Sequence, residues 1–183
     1  MKIIETEIKG LKLIEPLIHS DERGYFYESF KNSQWEIFFP ETKFIQENKS
    51  FSKFGVLRGL HFQRDEFAQA KLIQVTHGEV LDVVVDLRKN SKTFGNYLKF
   101  KLSCENNRQL FVPRGLAHGF LVLSPNASFS YKVDNIYSKD HEEGIRFDDE
   151  ILNIDWNFDK KNIIVSKKDR LLPVFNPELS YFS

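Results

Sequence analysis

Apolar and polar residues alternate with a period of two in several short stretches of the chain. The clearest stretches are KLIQV (71–75), EVLDVVVDLR (79–88), YLKFKLS (97–103) and FSYKV (129–133). Successive side chains of a strand point to opposite faces, so each stretch predicts a half-buried strand. The turn-forming segments LRKNSKTFG and SCENN separate them, and no long helical crossover, as a parallel sheet requires, is evident. The pattern predicts a mostly β fold, an antiparallel double-sheet barrel of the jelly-roll type.

Few segments have the pattern of a helix. Ser33 and Glu36 have the spacing of a capping box ahead of Ile37 and Phe38, which predicts a short helix in the segment after Ser33. Neither an internal repeat nor a low-complexity linker divides the chain. We therefore expect residues 1–183 to form a single domain with a few short helices.

Charge and cysteine content narrow the class of protein. The 26 basic and 26 acidic residues balance, so no bulk charge favours binding to nucleic acid or to an anionic membrane. The single cysteine, Cys104, has no partner for a disulfide or a zinc site, which favours a reducing compartment. Charged residues interrupt every apolar run near the N-terminus, too early for a signal peptide or a membrane span. A cytoplasmic protein is predicted.

Lys71 is a charged residue on an otherwise apolar strand face, which it shares with Ile73 and Val75. An unpaired ammonium inside a barrel costs free energy, so an inward-facing Lys71 needs a partner or a function. Alternatively, Lys71 begins its strand and reaches solvent through its aliphatic stem. Periodicity alone leaves both readings open.

The segment GVLRGLHFQ contains a second candidate, His61. In a regular strand Leu57, Gly59, His61 and Gln63 would share one face, and Arg58 would lie on the other. A lone histidine is more often a core residue than a functional one. Here the guanidinium of Arg58 suits phosphate and the glycine allows a ligand to approach the backbone, so the cluster favours a binding site.

The motif PRGLAHGF contains a third candidate, His118, with the spacing Pro-x-Gly-x-x-His. This spacing resembles the second signature of cupins, in which the histidine binds a metal. Gly55 and His61 match the start of the first signature, but Gln63 replaces its second histidine and no glutamate follows at a convincing position. We therefore expect a cupin-like barrel without a metal, an incomplete metal site being the alternative, and no cofactor is implied.

Longer motifs resemble one family, the dTDP-4-dehydrorhamnose 3,5-epimerases, from about Ile14 to Pro173. They are DERGYFYESF, QENKSFSKFGVLRGLHFQ, QAKLIQVTHGEVLDVVVDLRKNS, TFG, QLFVPRGLAHGFLVLS, YKVDNIYS and SKKDRLLP, in this order. Departures from the family pattern are modest: Lys92 stands where a proline is common, and Arg114 and Leu116 vary the PxGFAHGF pattern. None of the three is an expected catalytic residue.

The resemblance implies a reaction at carbons 3 and 5 of a nucleotide-linked 4-keto-sugar, where protons are removed and returned from the opposite face. It implies that His61 is the base, that Asp169 orients its ring and that Tyr131 is the acid. Lys71 would stabilise the charge that develops on the oxygen of carbon 4, and His118 would support the same region.

The resemblance also implies a set of residues around the thymidine diphosphate and the sugar. These are Arg23, Phe26, Glu28, Gln46, Asn48, Arg58, Lys167 and, as a weaker candidate, Glu143. Members of the family are homodimers that exchange N-terminal strands, so DERGYFYE is expected to serve the site of a partner. Phe26 and Glu28 would share one face of that strand, where a base can stack beside a hydrogen-bonding group.

Simpler structural roles compete with some of these assignments. Asp169 could cap a helix together with Ser166, and Tyr131 could be a core residue. At the level of function, an epimerase that acts at carbon 3 or carbon 5 alone remains an alternative to the two-carbon reaction. A metal-dependent cupin enzyme and a noncatalytic sugar-binding jelly roll are more distant alternatives.

Overall fold

Residues 1–182 are described by a computed structural model, in which strands predominate. The strands are β1 (Lys2–Glu5), β2 (Lys12–Glu15), β3 (His19–Asp21), β4 (Gly24–Phe26), β5 (Gln46–Lys53), β6 (Val56–Gln63), β7 (Lys71–His77), β8 (Glu79–Asp86), β9 (Tyr97–Ser103), β10 (Gln109–Val112), β11 (Leu116–Val122), β12 (Asn126–Val133), β13 (Glu142–Gly144) and β14 (Ile164–Val165). The α-helices are α1 (Asn32–Phe38) and α2 (Lys167–Arg170), and 3₁₀ turns span Asp65–Phe67, Lys139–His141 and Lys160–Asn162. None of the helices in residues 1–182 is long and apolar enough to cross a membrane.

The strands form two large sheets that face each other. The first has the order β1-β2-β10-β7-β12-β5, and the second has the order β13-β6-β11-β8-β9, with β14 pairing to β6. Every pair in these sheets is antiparallel except β14 with β6. The predicted double-sheet jelly-roll barrel is confirmed. A separate hairpin of β3 and β4, the β3–β4 hairpin, is exposed along both strands.

Three layers of apolar side chains pack between and around the sheets. The layer between the sheets includes Ile73, Val84 and Phe129. A second layer covers the outer face of the second sheet with the segment 145–175, and a third covers the outer face of the first sheet with α1. Because both sheets are covered on both sides, strands at their centre are buried on two faces.

The strand β8 is buried on both faces, so the prediction of a half-buried strand was wrong for it. Leu81, Val83 and Val85 pack against the segment 145–175, outside the barrel. The opposite face, with Val80 and Val84, points into the barrel. Alternation identified the strand but could not identify which face meets the interior, because the covering segment is distant in sequence.

The helix α1 begins at Asn32, ahead of the predicted segment after Ser33, and its capping differs from the prediction. Lys31 occupies the N-cap position and its side chain accepts no hydrogen bond, so Ser33 and Glu36 form no capping box. Glu36 instead accepts a hydrogen bond of 2.6 Å from the Nδ2 of Asn32. Trp35 is buried in the third layer, and such tertiary packing stabilises a helix that is too short to be stable alone.

The strand β6 departs from regular alternation at Gly59, so the predicted placement of Arg58 opposite His61 was wrong. In the pairing of β6 with β11, His61 faces His118 but Arg58 faces Phe120, which leaves one extra residue in β6. This β-bulge turns Arg58 and His61 to the same side. Gly59 has a φ of 117°, and a Cβ there would lie 2.5 Å from the Cα of Gly119, so only glycine fits.

Candidate active site

A cavity of about 480 Å³ opens between the two sheets. Six of the residues predicted from the sequence line it: Arg58, His61, Lys71, His118, Tyr131 and Asp169. They come from β6, β7, β11, β12 and α2, which are far apart along the chain. Ser50, Val56, Leu57, Phe120, Phe129, Ile164, Val165, Ser166 and Lys168 complete the lining. The cavity is therefore a mixed site, with apolar walls and converging ionisable groups, as small-molecule sites usually are.

His61 and Asp169 form a hydrogen-bonded pair on one wall of the cavity. The Nε2 of His61 is 2.8 Å from the Oδ1 of Asp169, and the backbone N–H of Gly59 donates to the Oδ2 at 3.3 Å. An ionised carboxylate only accepts hydrogen bonds, so Nε2 must carry the hydrogen. The Nδ1 of His61 is then the nitrogen with a free lone pair, as a base requires.

Asp169 remains ionised in this pair. Burial raises the pKa of its carboxyl, but the hydrogen bond and the charge of His61, with the N–H of Gly59, outweigh burial and hold the pKa below its ordinary value. The alternative cap also exists, because Ser166 Oγ accepts a hydrogen bond of 3.0 Å from the backbone N–H of Asp169. Ser166 therefore caps α2 through the backbone, and the Asp169 side chain remains available to His61.

Tyr131 projects from the first sheet, whereas His61 belongs to the second. The tyrosine lies on β12 between Phe129 and Val133, and burial raises the pKa of its phenol while a hydrogen bond with Asn48 opposes the rise. The phenol thus keeps its proton at neutral pH. The cavity has a base on one sheet and a proton-bearing hydroxyl on the other.

Lys71 and His118 bring further polarity into the cavity. Burial lowers the pKa of Lys71 to about 8, so the amine is still mostly protonated at neutral pH. Burial also lowers the pKa of His118, which favours its neutral form. The Nε2 of His118 lies 2.8 Å from the Oδ2 of the buried Asp82. Of the two readings of Lys71, the structure supports an inward-facing amine.

Arg58 lies at the cavity beside β5. Its Nε donates a hydrogen bond of 3.0 Å to the Oγ of Ser52, and Nη2 is 3.5 Å from the carbonyl oxygen of Phe51. No carboxylate is among these partners. The guanidinium therefore presents an uncompensated positive charge, as a phosphate ligand would need.

Three predicted substrate-binding residues lie away from this cavity, on or next to the β3–β4 hairpin. Arg23 and Phe26 line a separate surface depression formed by hairpin residues, and Phe26 is 69% exposed. Arg23 forms an ion pair of 2.5 Å with Asp21. Glu28 follows the hairpin outside β4 and pairs with Lys31, so it does not extend the strand face of Phe26 as predicted.

Four more predicted residues do not line the cavity either. Asn48 nonetheless lies directly opposite Tyr131 in the pairing of β12 with β5, and the Nε2 of Gln46 donates to the Oδ1 of Asn48 at 2.7 Å. Glu143 pairs with Arg64 at 2.8 Å. Lys167 is an exposed residue of the first turn of α2.

Glu142, the neighbour of Glu143, was not predicted from the sequence. Its Oε2 accepts a hydrogen bond of 2.7 Å from the hydroxyl of Tyr137 and pairs with Lys168. Its negative charge raises the pKa of Lys71 and of Tyr131, and the charge of His61 in turn lowers the pKa of Glu142. Two consecutive glutamates point to opposite sides of a strand, and in the pairing of β13 with β6 Glu142 lies opposite Gln63 and Glu143 lies opposite Phe62.

The residues present do not fit the metal centre typical of cupins. Gln63 does not face the cavity: its Nε2 donates to the carbonyl oxygens of Phe67 and Ile136, and its Oε1 accepts from the backbone N–H of Ser138. Within residues 1–182, the one group of three potential ligands comprises Asp65, Glu66 and His141, at the surface. Two histidines without a third ligand make a poor site for a catalytic metal.

The arrangement suits proton transfer at carbon next to a carbonyl group. A neutral imidazole oriented by a carboxylate can remove a proton, and an ammonium ion can stabilise the resulting enolate. A phenol on the opposite wall can return a proton to the other face. None of these steps needs a covalent intermediate on the protein.

Comparisons with known proteins agree on one family. The family model described as dTDP-4-dehydrorhamnose 3,5-epimerase matches residues 5–177. The enzyme of that name from Escherichia coli K12 is 48% identical over 173 residues, which cover 94% of this chain and 93% of the relative.

Two solved structures are similarly close. The crystal structure of dTDP-4-dehydrorhamnose 3,5-epimerase from Elizabethkingia anophelis has a TM-score of 0.91 and 48% identity, with 96% of each chain covered. A dTDP-6-deoxy-D-glucose-3,5-epimerase from Legionella pneumophila, in complex with dTDP-4-keto-L-rhamnose, has a TM-score of 0.87 and 44% identity, with 96% of this chain and 98% of that chain covered. The resemblance inferred from the sequence motifs is confirmed.

Proposed function

Since the chain belongs to the dTDP-4-dehydrorhamnose 3,5-epimerase family, we propose that it is an isomerase that inverts carbons 3 and 5 of dTDP-4-dehydro-6-deoxy-D-glucose. The product is dTDP-4-dehydro-L-rhamnose. One observation carries this function: the base His61 and the phenol Tyr131 lie on facing sheets of one cavity, with the ammonium of Lys71 between the same sheets.

The first half-reaction is removal of a proton by His61. Its Nδ1 takes the proton from carbon 3 or carbon 5, and the electron pair of the broken C–H bond moves to the oxygen of carbon 4. The imidazolium that forms is stabilised by the ionised Asp169, 2.8 Å from Nε2. Lys71 stabilises the enolate oxygen, because a fixed cation in a water-poor cavity interacts more strongly with developing charge than it would in water.

The second half-reaction is return of a proton by Tyr131. The phenol donates to the opposite face of the same carbon, and the electron pair of the enolate returns to form the new C–H bond. The resulting phenolate regains its proton from solvent, and His61 loses its proton to solvent. The two exchanges with water leave the enzyme unchanged and balance the reaction.

The nucleotide end of the substrate requires cationic contacts, and we propose that Arg58 supplies one for the diphosphate. Lys167, Gln46, Asn48 and Glu143 are proposed to contact the nucleotide or the sugar at the mouth of the cavity. Arg23 and Phe26 of the β3–β4 hairpin line a separate depression and not the cavity of their own chain. We propose that Arg23, Phe26 and Glu28 complete the site of a partner chain in a homodimer.

A dimer of identical chains is the expected state in solution. The β3–β4 hairpin exposes two aromatic side chains, Tyr25 at 59% and Phe26 at 69%, and contact with a partner would remove them from water. Light scattering at micromolar concentration should give the mass of two chains. An active monomer would contradict this arrangement.

Activity is expected to be independent of metal ions. Gln63 is fully engaged in hydrogen bonds with the backbone, and His61 and His118 have no third ligand beside them in residues 1–182. Exhaustive treatment with a chelator should therefore leave the rate of epimerisation unchanged. A loss of activity that added metal restores would reject the metal-free mechanism.

The proposed function is tested by identifying the product. Purified protein is incubated with dTDP-4-dehydro-6-deoxy-D-glucose, and proton coupling constants are read by NMR at carbons 3 and 5. Inversion at both carbons is the expected result. Binding of the substrate without any change at either carbon would instead favour a noncatalytic sugar-binding protein.

A further inference from the structure

Asp82 is a buried carboxylate next to the cavity that the proposed reaction steps leave unused. It lies on the face of β8 that points into the barrel, and its exposed fraction is 0%. Its Oδ2 is 2.8 Å from the Nε2 of His118. Its Oδ1 is buried without a hydrogen-bond partner in the part of the chain that the structure describes. A buried carboxylate oxygen without a partner is costly unless a nearby positive charge compensates for it.

The compensating charge is the ammonium of Lys71. Burial lowers the pKa of Lys71, and the carboxylate of Asp82 is the group that most opposes this effect, followed by Glu142. In the other direction, burial holds the pKa of Asp82 above its ordinary value, and the interaction with His118 and the charge of Lys71 offset only part of that rise. Lys71 and Asp82 therefore each favour the charged form of the other.

We propose that Asp82 is a positioning residue, which acts through two residues of the cavity wall. Its negative charge keeps Lys71 in the ammonium form, and its Oδ2 holds the ring of His118 in place. This inference rests on the proposed function, in which Lys71 faces the enolate oxygen. Without Asp82, Lys71 would lose its proton at a lower pH, and the stabilisation of the enolate oxygen would be lost with it.

The other ionisable groups around Lys71 cannot replace this carboxylate. They are His61 on β6, Arg58 on β6, His118 on β11, Tyr131 on β12, Glu142 on β13, and Lys168 and Asp169 at α2. The histidines are neutral or cationic, and the tyrosine keeps its proton. Glu142 already pairs with Lys168 and Tyr137, and Asp169 pairs with His61. Asp82 has His118 as its hydrogen-bond partner, and Lys71 is the cation whose charge acts on it.

The variant Asp82→Asn tests the proposal because it keeps the size of the side chain and an oxygen acceptor for His118. Loss of the carboxylate should lower the pKa of Lys71, so that the ammonium is lost at a lower pH. The basic limb of the kcat profile should move down by about one pH unit or more, with turnover at pH 8.5 reduced about tenfold and turnover at pH 6.5 within about threefold of the unmodified enzyme. KM should change less than kcat, because the nucleotide contacts are untouched.

Asp86→Asn is the matched control. Asp86 is also fully buried on β8, four residues further along on the same face, but its carboxylate binds Arg88, Ser91 and Thr93 instead of a cavity residue. The control should lower the melting temperature without moving the basic limb. The proposal is overturned if both variants lose activity equally at every pH.

A labelling experiment measures the charge of Lys71 without turnover. Reactivity with acetic anhydride, followed across pH by mass spectrometry of the Lys71 peptide, should give a pKa near 8 in the unmodified protein and a lower one in Asp82→Asn. Equal values in the two proteins would overturn the proposal. If Asp82→Asn does not fold, the unmodified protein alone decides, because a Lys71 that loses its proton below about pH 6.5 has no effective counter-charge. Failure of the proposed function would leave this measurement intact, so the two failures are distinguishable.

Discussion

Replacing His61 with alanine should abolish both epimerisation and the exchange of substrate hydrogen with solvent. The reason is geometric: the imidazole of His61 lines the cavity and combines a free lone pair at Nδ1 with a carboxylate partner at Nε2, 2.8 Å from Asp169. Without a base no enolate forms, so the proton at carbon 3 or carbon 5 remains in place. Turnover should fall by about four orders of magnitude, the upper end of the range for loss of a general base.

The matched control for this variant is His77→Ala. His77 ends β7 at the surface, and its loss removes an imidazole without touching the cavity. It should retain full activity, and His61→Ala should retain the melting temperature of the parent within a few degrees. Rapid deuterium exchange in His61→Ala would assign the base to another group.

Tyr131→Phe should separate hydrogen exchange from inversion. His61 is still present to remove a proton and to return deuterium from heavy water to the original face, and Lys71 still stabilises the enolate. Deuterium should therefore enter carbons 3 and 5 with retained configuration. Turnover to the inverted product should fall by roughly two to four orders of magnitude, as for other losses of one acid.

A second tyrosine variant serves as the control for this result. Tyr97→Phe removes a hydroxyl that accepts a hydrogen bond from the backbone N–H of Asp155, outside the cavity, and should leave inversion unchanged. Equal loss of exchange and inversion in Tyr131→Phe would contradict the assignment of base and acid. Full inversion in Tyr131→Phe would mean that water or Tyr137 is the donor.

Local periodicity singled out Lys71 but left its orientation open, and the role of Tyr131 came from the family resemblance. Lys71 and Tyr131 each interrupt an apolar strand face, and both line the cavity. His61 and His118 came from motif spacing, and the pairing of β6 with β11 brings the two side by side. The bulge at Gly59 was not predictable, because the close approach of Gly119 that requires it comes from a strand about sixty residues later.

Asp82 shows why the remaining part of the site could not be read from the sequence. In EVLDVVVDLR it falls on the more polar face, which alternation assigns to solvent. The structure reverses this assignment, because the segment 145–175 covers the apolar face and Asp82 points into the barrel. Which face of a strand lies inside depends on packing against segments distant in the chain, and this packing cannot be inferred from a single sequence.

The adjacent glutamates Glu142 and Glu143 present a similar ambiguity. The resemblance to the family directed attention to Glu143, but its carboxylate pairs with Arg64, whereas the charge of Glu142 acts on His61 and Lys71. A shift of one residue in a strand exchanges the two faces. Assignments near short strands such as β13 therefore need the register of a structure.

The most direct test of the two-carbon mechanism is position-resolved deuterium incorporation by the unmodified enzyme. The protein is incubated with dTDP-4-dehydro-6-deoxy-D-glucose in heavy water, and NMR reports both the label and the configuration at each sugar carbon. The expected result is deuterium at carbon 3 and at carbon 5, each with inverted configuration, and none at carbon 2. Label and inversion at a single carbon would contradict the two-carbon reaction, and inversion without any label would contradict proton transfer through His61 and Tyr131.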